Sequence, residues 1–149
     1  MHGYMLDTNI FNHVLRDGVE LGVLTKHGAL FATYVQHQEL QATRDEKKRS
    51  QLTEIFNVIR PSRVSTASSL FEETPWDEGD WPSGDGLFEA MLAELNRLNG
   101  SKGNNDRDIL IAETAIRNAW TLVTNDAHLG QVVRAFKGES LTLAQFLAQ

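Results

Sequence analysis

The sequence of 149 residues contains no cysteine, so it can form neither disulfide bonds nor a thiolate metal site. It has no apolar run near the roughly 20 residues that a membrane-crossing helix needs, and no basic, apolar leader at its start. Positive charge is scarce, because 14 Lys and Arg face 20 Asp and Glu, for a net charge of −6. We therefore expect a cytoplasmic, single-domain protein over residues 1–149 that does not coat nucleic acid by charge alone.

The first informative stretch is a short apolar run that stops at a carboxylate. Residues 4–6 are too few for the core of a helix, which favours a buried strand. Thr8 and Asn9 are good helix-start residues, and the apolar residues after them recur at helical spacing. Asp7 is thereby placed at the carboxyl end of a central strand, where open α/β sheets bind their ligands. The alternative is that Asp7 only caps the helix.

A second change from strand to helix follows at residues 29–32, which read as another buried strand. Thr33 and Gln36 then form the capping-box pattern of a new helix. Glu39 lies on the second turn of that helix, on the same side as an apolar residue four positions earlier. Its carboxylate is therefore predicted to point towards the strand ends.

A later helix, with Asn105 as its predicted N-cap, carries three acids that helical geometry separates. At 100° per residue, Asp108 shares its face with small alanines, whereas Asp106 and Glu113 lie on nearly the opposite side. Glu113 also has Arg117 four residues on, as exposed ion pairs do. Asp108 is predicted to face inward, with a charge complementary to the helix dipole as its simpler role, and the other two acids to lie at the surface.

Two further stretches complete the pattern. Residues 120–124 predict a strand that stops before Asp126, which repeats the geometry of Asp7. Residues 72–85 carry six acids without any Lys or Arg and include Trp76 and Trp81. We predict a long surface loop there, in which a solvated acidic run is favoured over a metal site.

Strands that alternate with helices predict an α/β fold, with a mostly parallel sheet and helices on both faces. In such a sheet the carboxyl ends of neighbouring strands meet at one edge. That edge gathers four acids, which are Asp7, Glu39, Asp108 and Asp126. Converging carboxylates repel one another unless a cation holds them, and oxygen ligands favour Mg²⁺ or Mn²⁺. Metal-assisted hydrolysis of a phosphodiester is the chemistry that uses such a site most directly.

Four segments in order carry a resemblance to a known family: Met5-Leu6-Asp7-Thr8-Asn9, Glu39-Leu40, Asp108 to Ala112 with Thr114-Ala115, and Leu122 to Asp126. Together they resemble PIN-domain nucleases, and specifically the toxin of VapC-type toxin–antitoxin systems. The resemblance implies a three-layer α/β/α fold with a parallel sheet of about five strands. It also implies dependence on Mg²⁺ or Mn²⁺, single-stranded RNA as substrate, a homodimer, and inhibition by a small antitoxin protein.

Carried over position by position, the resemblance implies two groups of site residues. The acids that bind metal and act in catalysis would be Asp7, Glu39, Asp108 and Asp126. The residues that support them would be Thr8, Asn9 and Thr124.

Other interpretations remain open at this stage. A PIN-like module that binds RNA or a protein without catalysis fits the same residues, as does a PIN nuclease of RNA processing outside toxin–antitoxin systems. A haloacid-dehalogenase-type phosphatase fits poorly, because it needs an aspartate where Asn9 stands, and a response-regulator receiver lacks its paired acids. The five histidines show no zinc-site spacing. Candidate contacts to an RNA backbone are Lys102, Arg107 and the basic residues of 44–49.

Overall fold

The computed structural model describes residues 2–59, 61–68 and 85–149, which form five strands and eight helices. The strands are β1 (Gly3–Leu6), β2 (Ala29–Ala32), β3 (Ser62–Arg63), β4 (Thr121–Val123) and β5 (Glu139–Leu141). The helices are α1 (Thr8–Asp17), α2 (Leu21–Leu24), α3 (Tyr34–Gln41), α4 (Glu46–Ile59), α5 (Leu87–Asn99), α6 (Asn105–Arg117), α7 (Ala127–Ala135) and α8 (Leu143–Leu147). Strands and helices alternate along most of the chain, as the sequence predicts.

The five strands form one sheet in the order β3-β2-β1-β4-β5, and all four pairings between them are parallel. Met5 of the central strand β1 lies opposite Phe31 of β2 and Leu122 of β4. Parallel strands of this kind are buried on both faces, which explains their nearly continuous apolar sequences. The carboxyl ends of β1, β2 and β4 therefore meet at one edge of the sheet.

Side chains from the sheet enter two separate hydrophobic clusters, one on each face. Tyr4 and Leu6 pack into the cluster that includes buried residues of α1 and α4. Met5, which points the opposite way because strand side chains alternate, packs with buried residues of α5, α6 and α7. Helices thus cover both faces of the sheet, and the predicted three-layer α/β/α fold is confirmed.

The segment after Pro61 forms the short edge strand β3, which has only two residues and pairs with β2. The acidic stretch predicted as a loop over residues 72–85 lies outside the described residues except for Asp85. Among the helices of the three described ranges, none combines the length and the apolar character that a membrane span requires.

Candidate functional site

Asp7 directly follows β1 and is held at the carboxyl edge of the sheet by hydrogen bonds to the elements on either side. Its backbone N–H donates to the carbonyl of Val123 in β4, at 3.0 Å. Its carboxylate accepts the N–H of Thr8 at 2.8 Å and so caps α1. The hydroxyl of Thr124 donates to the other carboxylate oxygen at 2.7 Å. With only 4% of its surface exposed, Asp7 is both a helix cap and a buried acid.

Thr124 connects Asp7 to the second acid that follows a strand, Asp126. The Thr124 hydroxyl oxygen accepts the backbone N–H of Asp126 at 3.1 Å and an amide N–H of Asn9 at 3.4 Å. Asp126 itself caps α7 by accepting the N–H groups of the second and third residues of that helix. Because β1 and β4 are parallel neighbours, this single hydroxyl spans the gap between their ends.

Glu39 reaches the same edge from α3. Its carboxylate accepts the hydroxyl of Thr8 at 2.7 Å. Thr8 therefore serves two acids, since its N–H donates to Asp7 and its hydroxyl to Glu39. The prediction that Glu39 points back towards the strand ends is confirmed.

Gln36 fixes the position of α3 on the sheet, a role that the sequence did not reveal. Its side chain is fully buried. Its amide oxygen accepts the N–H and the hydroxyl of Thr33, which completes the predicted capping box. Its amide nitrogen donates to the carbonyl of Leu6 at 2.9 Å, and Leu6 is the residue before Asp7. Gln36 thus holds the helix that carries Glu39 against the strand that leads to Asp7.

Asp108 enters the site from the first turn of α6, and an asparagine cluster fixes that turn. Asn105 is the first residue of α6 and is buried, so its prediction as N-cap is wrong by one position; Asn104 precedes the helix without a side-chain bond. The amides of Asn105 and Asn99 pair in both directions, at 2.8 and 2.7 Å, and Asn105 also donates to Asn96. The start of α6 is therefore tied to the end of α5.

The pKa values of two acids show that the four carboxylates lie within electrostatic reach of one another. Burial raises the pKa of Asp7 from its ordinary value of 3.8 to about 6, although hydrogen bonds from Thr124 and Thr8 lower it in part. The charges of Glu39 and Asp126 raise it further. Burial also raises the pKa of Asp108 to about 8, and the other three acids add to this effect. The structure thus places Asp7, Glu39, Asp108 and Asp126 within electrostatic range of one another.

The donor set of this cluster consists of carboxylate oxygens, which are the ligands that Mg²⁺ and Mn²⁺ prefer. Within the described residues, no three His, Asp or Glu side chains are grouped closely enough to hold a metal ion by themselves. Mg²⁺ does not require three, because it usually keeps several waters and binds through one or two carboxylates. Burial is the main cause of the raised pKa values of Asp7 and Asp108, and the neighbouring carboxylates raise them further. A divalent cation would offset both effects, so these residues fit such an ion.

Glu113 contradicts the sequence prediction, because it is fully buried rather than at the surface. Its carboxylate accepts the hydroxyl of Ser68 at 3.0 Å and the Nε–H of Arg117 at 2.9 Å. A helix with one face exposed to solvent was expected, but every residue from Ile109 to Ala115 is buried. One signal was available: Glu113 is the only charge in the apolar run between Asp108 and Arg117. Asp106, by contrast, is partly exposed, in line with its prediction.

Comparison with solved structures shows similar folds at low sequence identity. A chain in the structure of VapBC-1 from nontypeable Haemophilus influenzae is 17% identical, with a TM-score of 0.54 and coverage of 94% of this chain and 97% of that chain. A chain in the crystal structure of VapBC2 from Rickettsia felis bound to a DNA fragment from their promoter is 21% identical, with a TM-score of 0.51 and coverage of 94% and 98%.

A third similar structure is a domain of a functionally unknown protein from Methanocaldococcus jannaschii DSM 2661. It is 14% identical, with a TM-score of 0.50 and coverage of 96% of this chain and 91% of that chain. No protein-family model matches the sequence, and no curated protein is detectably similar to it. The fold expected from the PIN-domain resemblance is therefore confirmed, and the chain shares it with structures of VapBC proteins.

Proposed function

We propose that this chain is a metal-dependent ribonuclease that hydrolyses phosphodiester bonds of single-stranded RNA, and that it acts in the cytoplasm as a VapC-type toxin. The observation that supports it most directly is the cluster of Asp7, Glu39, Asp108 and Asp126 at the carboxyl edge of the sheet, with the pKa values of two of these acids raised. Buried negative charge of this kind costs stability unless a cation compensates it. A cluster that is costly without a ligand is a good candidate for a metal-binding site.

Each residue of the cluster has a distinct part in this proposal. Asp7 and Asp108 are the main ligands of Mg²⁺ or Mn²⁺, and Asp126 completes the site. Glu39 either binds the ion or orients the attacking water. When bound, the ion lowers the pKa of a water molecule and stabilises negative charge on the phosphate.

Three uncharged residues keep these acids in place. Thr124 donates to Asp7 and accepts from the N–H of Asp126. Thr8 orients Asp7 and Glu39. Asn9 supports the same edge through bonds to Thr124 and to the N–H of Asn125, both at 3.4 Å. These hydrogen bonds set the positions of Asp7, Glu39 and Asp126 before any ion or RNA binds.

The cleavage test compares two variants that each remove one carboxylate without changing volume. Asp7→Asn is expected to abolish Mg²⁺- or Mn²⁺-dependent cleavage of single-stranded RNA and to leave the fold intact. Asp17→Asn alters an exposed acid that pairs with Arg16, and it should cleave at the wild-type rate. Loss of all cleavage in EDTA is also expected. Full activity of Asp7→Asn would remove the catalytic assignment.

The absence of a preformed three-ligand group in the described residues favours one other candidate, a non-catalytic PIN-like module that binds RNA or a protein. Such a module would bind single-stranded RNA with no cleavage in Mg²⁺ or Mn²⁺. An antitoxin partner and a homodimer are part of the proposal, since the similar structures are of VapBC proteins. A neighbouring gene for a small DNA-binding protein would support the toxin role over a role in RNA processing.

A further inference from the structure

A groove of about 440 Å³ opens directly beside Asp126. One end is formed by Thr124, Asn125 and Asp126, which belong to the loop after β4 that helps to build the acidic cluster. The groove then runs between α7, β5 and the start of α8. It is a continuation of the candidate site, and none of its lining residues is an acid of the cluster except Asp126.

In the far part of the groove two side chains approach the backbone of α7 closely, because the residue there is a glycine, Gly130. A Cβ at Gly130 would lie 3.2 Å from the hydroxyl of Ser140 and 3.3 Å from a guanidinium nitrogen of Arg134. The guanidinium of Arg134 and the hydroxyl of Ser140 therefore come together over Gly130. A positive charge and a hydroxyl donor at one point form the chemistry that binds a phosphate group.

Arg134 is distinctive in charge as well as in position. Among the described residues it is the only Lys or Arg that lines this groove, and also the only one that lines the adjoining groove of about 570 Å³. Other arginines of the protein are engaged, such as Arg97 with Glu94 and Arg16 with Asp17. The side chain of Arg134 is exposed and forms no hydrogen bond or ion pair with the residues that the structure describes. Its five donors are therefore available to a ligand.

We infer that this groove binds the backbone of a single-stranded RNA that extends from the candidate cleavage site, with Arg134 on a phosphate of that strand. The inference rests on the proposed function. Ser140, Thr142 and Gln145 supply hydroxyl and amide groups suited to sugar and phosphate oxygens. No aromatic side chain lines the groove, so bases have no stacking platform and the contact is independent of sequence.

The length of the groove sets a requirement on the RNA. Asp126 and Arg134 are eight residues apart along α7, which corresponds to roughly 12 Å at 1.5 Å per residue. A stacked strand rises about 3.4 Å per nucleotide, so about four nucleotides cover this span. An octamer is therefore long enough to reach Arg134 from the acidic cluster.

The test measures binding of a fluorescent RNA octamer by anisotropy in Mg²⁺, in a chain that carries Asp7→Asn so that the RNA stays intact. Arg134→Gln is expected to weaken binding about fivefold, because one charge-assisted phosphate contact is lost. The slope of log affinity against log salt should fall in magnitude by about 0.7, the value for one phosphate of a single strand. Arg134→Lys should keep that slope and recover part of the affinity.

Lys137→Gln is the matched control, since it removes a charge three residues further on and outside both grooves. It should leave affinity and slope unchanged. Equal binding by Arg134→Gln and its parent, or an equal loss in Lys137→Gln, would overturn the inference while leaving the proposed function intact. Tighter binding of a hexaglutamate peptide than of RNA, lost in Arg134→Gln, would also overturn it and assign the groove to an acidic protein segment. If the parent binds no RNA at any salt concentration, the proposed function itself fails.

Discussion

Asp7→Asn should make the metal-free protein more stable at pH 8, although the Asp7 carboxylate accepts hydrogen bonds from Thr8 and Thr124. Burial raises the pKa of Asp7 to about 6 in the folded protein, whereas the unfolded chain has the ordinary value of 3.8. The folded state therefore holds this proton more tightly than the unfolded state. The resulting stability is fully present below about pH 4 and is lost as the pH rises through about 6.

The size of this effect follows from the two pKa values. Each tenfold change in proton affinity is worth about 1.4 kcal/mol, so the charge on Asp7 costs about 3 kcal/mol at pH 8. Asparagine removes that charge at nearly the same volume. It still accepts the N–H of Thr8, but its amide donates to a Thr124 hydroxyl that already accepts from Asn9 and Asp126. The clash of donors at the Thr124 hydroxyl should cost about 1 kcal/mol. The free energy of unfolding of Asp7→Asn at pH 8 is therefore expected to exceed that of the wild type by about 2 kcal/mol.

The measurement is urea denaturation in EDTA at several pH values between 4 and 8, with Asp17→Asn as the matched control. The gain should be absent at pH 4, grow through pH 6 and level off by pH 8, while Asp17→Asn changes little at any pH. Adding Mg²⁺ should stabilise the wild type, because the cation compensates the charge on Asp7. The difference in unfolding free energy between Asp7→Asn and the wild type should then become smaller. A variant that is less stable than the wild type at pH 8, or equally stabilised at pH 4, would refute the reasoning.

Two further predictions concern buried polar side chains outside the acidic cluster. Gln36→Leu should lower the free energy of unfolding by about 2 kcal/mol, since it leaves the Leu6 carbonyl without its donor. Gln38→Leu, on the exposed side of the same helix, should change that free energy little. Equal effects of the two substitutions in urea denaturation would contradict the role of Gln36. Glu113→Ala should cost about 2 kcal/mol, because the Ser68 hydroxyl and Arg117 lose a buried partner. Its control is the partly exposed Glu94, which pairs with Arg97. A thermal-melting shift for Glu94→Ala as large as that for Glu113→Ala would show that burial of the pair is irrelevant.

The sequence predicts those parts of the site that depend on local signals. Asp7 and Asp126 each follow a short apolar run, and Glu39 and Asp108 occupy early turns of helices whose starts are marked by polar residues. Once the sheet is taken as parallel, these positions converge without further information. Most of the geometry of the site is therefore determined by the strands that end before Asp7 and Asp126 and by the helices that carry Glu39 and Asp108.

The remaining features depend on contacts between distant segments. Glu113 is buried because α6 is covered on every side, which no helical period can reveal. The capping-box pattern explains the amide oxygen of Gln36, but its amide nitrogen meets Leu6 only because α3 packs against β1. Asn105 likewise ties α6 to α5 through hydrogen bonds to Asn99 and Asn96, which no local helix signal indicates. The role of a polar side chain that joins two elements can be predicted only when the packing of both elements is known.

The pair formed by Glu113 and Arg117 has a consequence for how this gene can change. Ser68 donates to Glu113 at 3.0 Å, and Arg117 donates to Asp85 at 2.7 Å. Chain positions 17 residues apart in sequence are thus anchored on two consecutive turns of one helix. Each anchor is a hydrogen bond from a distant part of the chain to one turn of α6, so a substitution of Glu113 or Arg117 removes a long-range contact as well as a local one. We therefore expect these two positions to change together with Ser68 and Asp85 among orthologues.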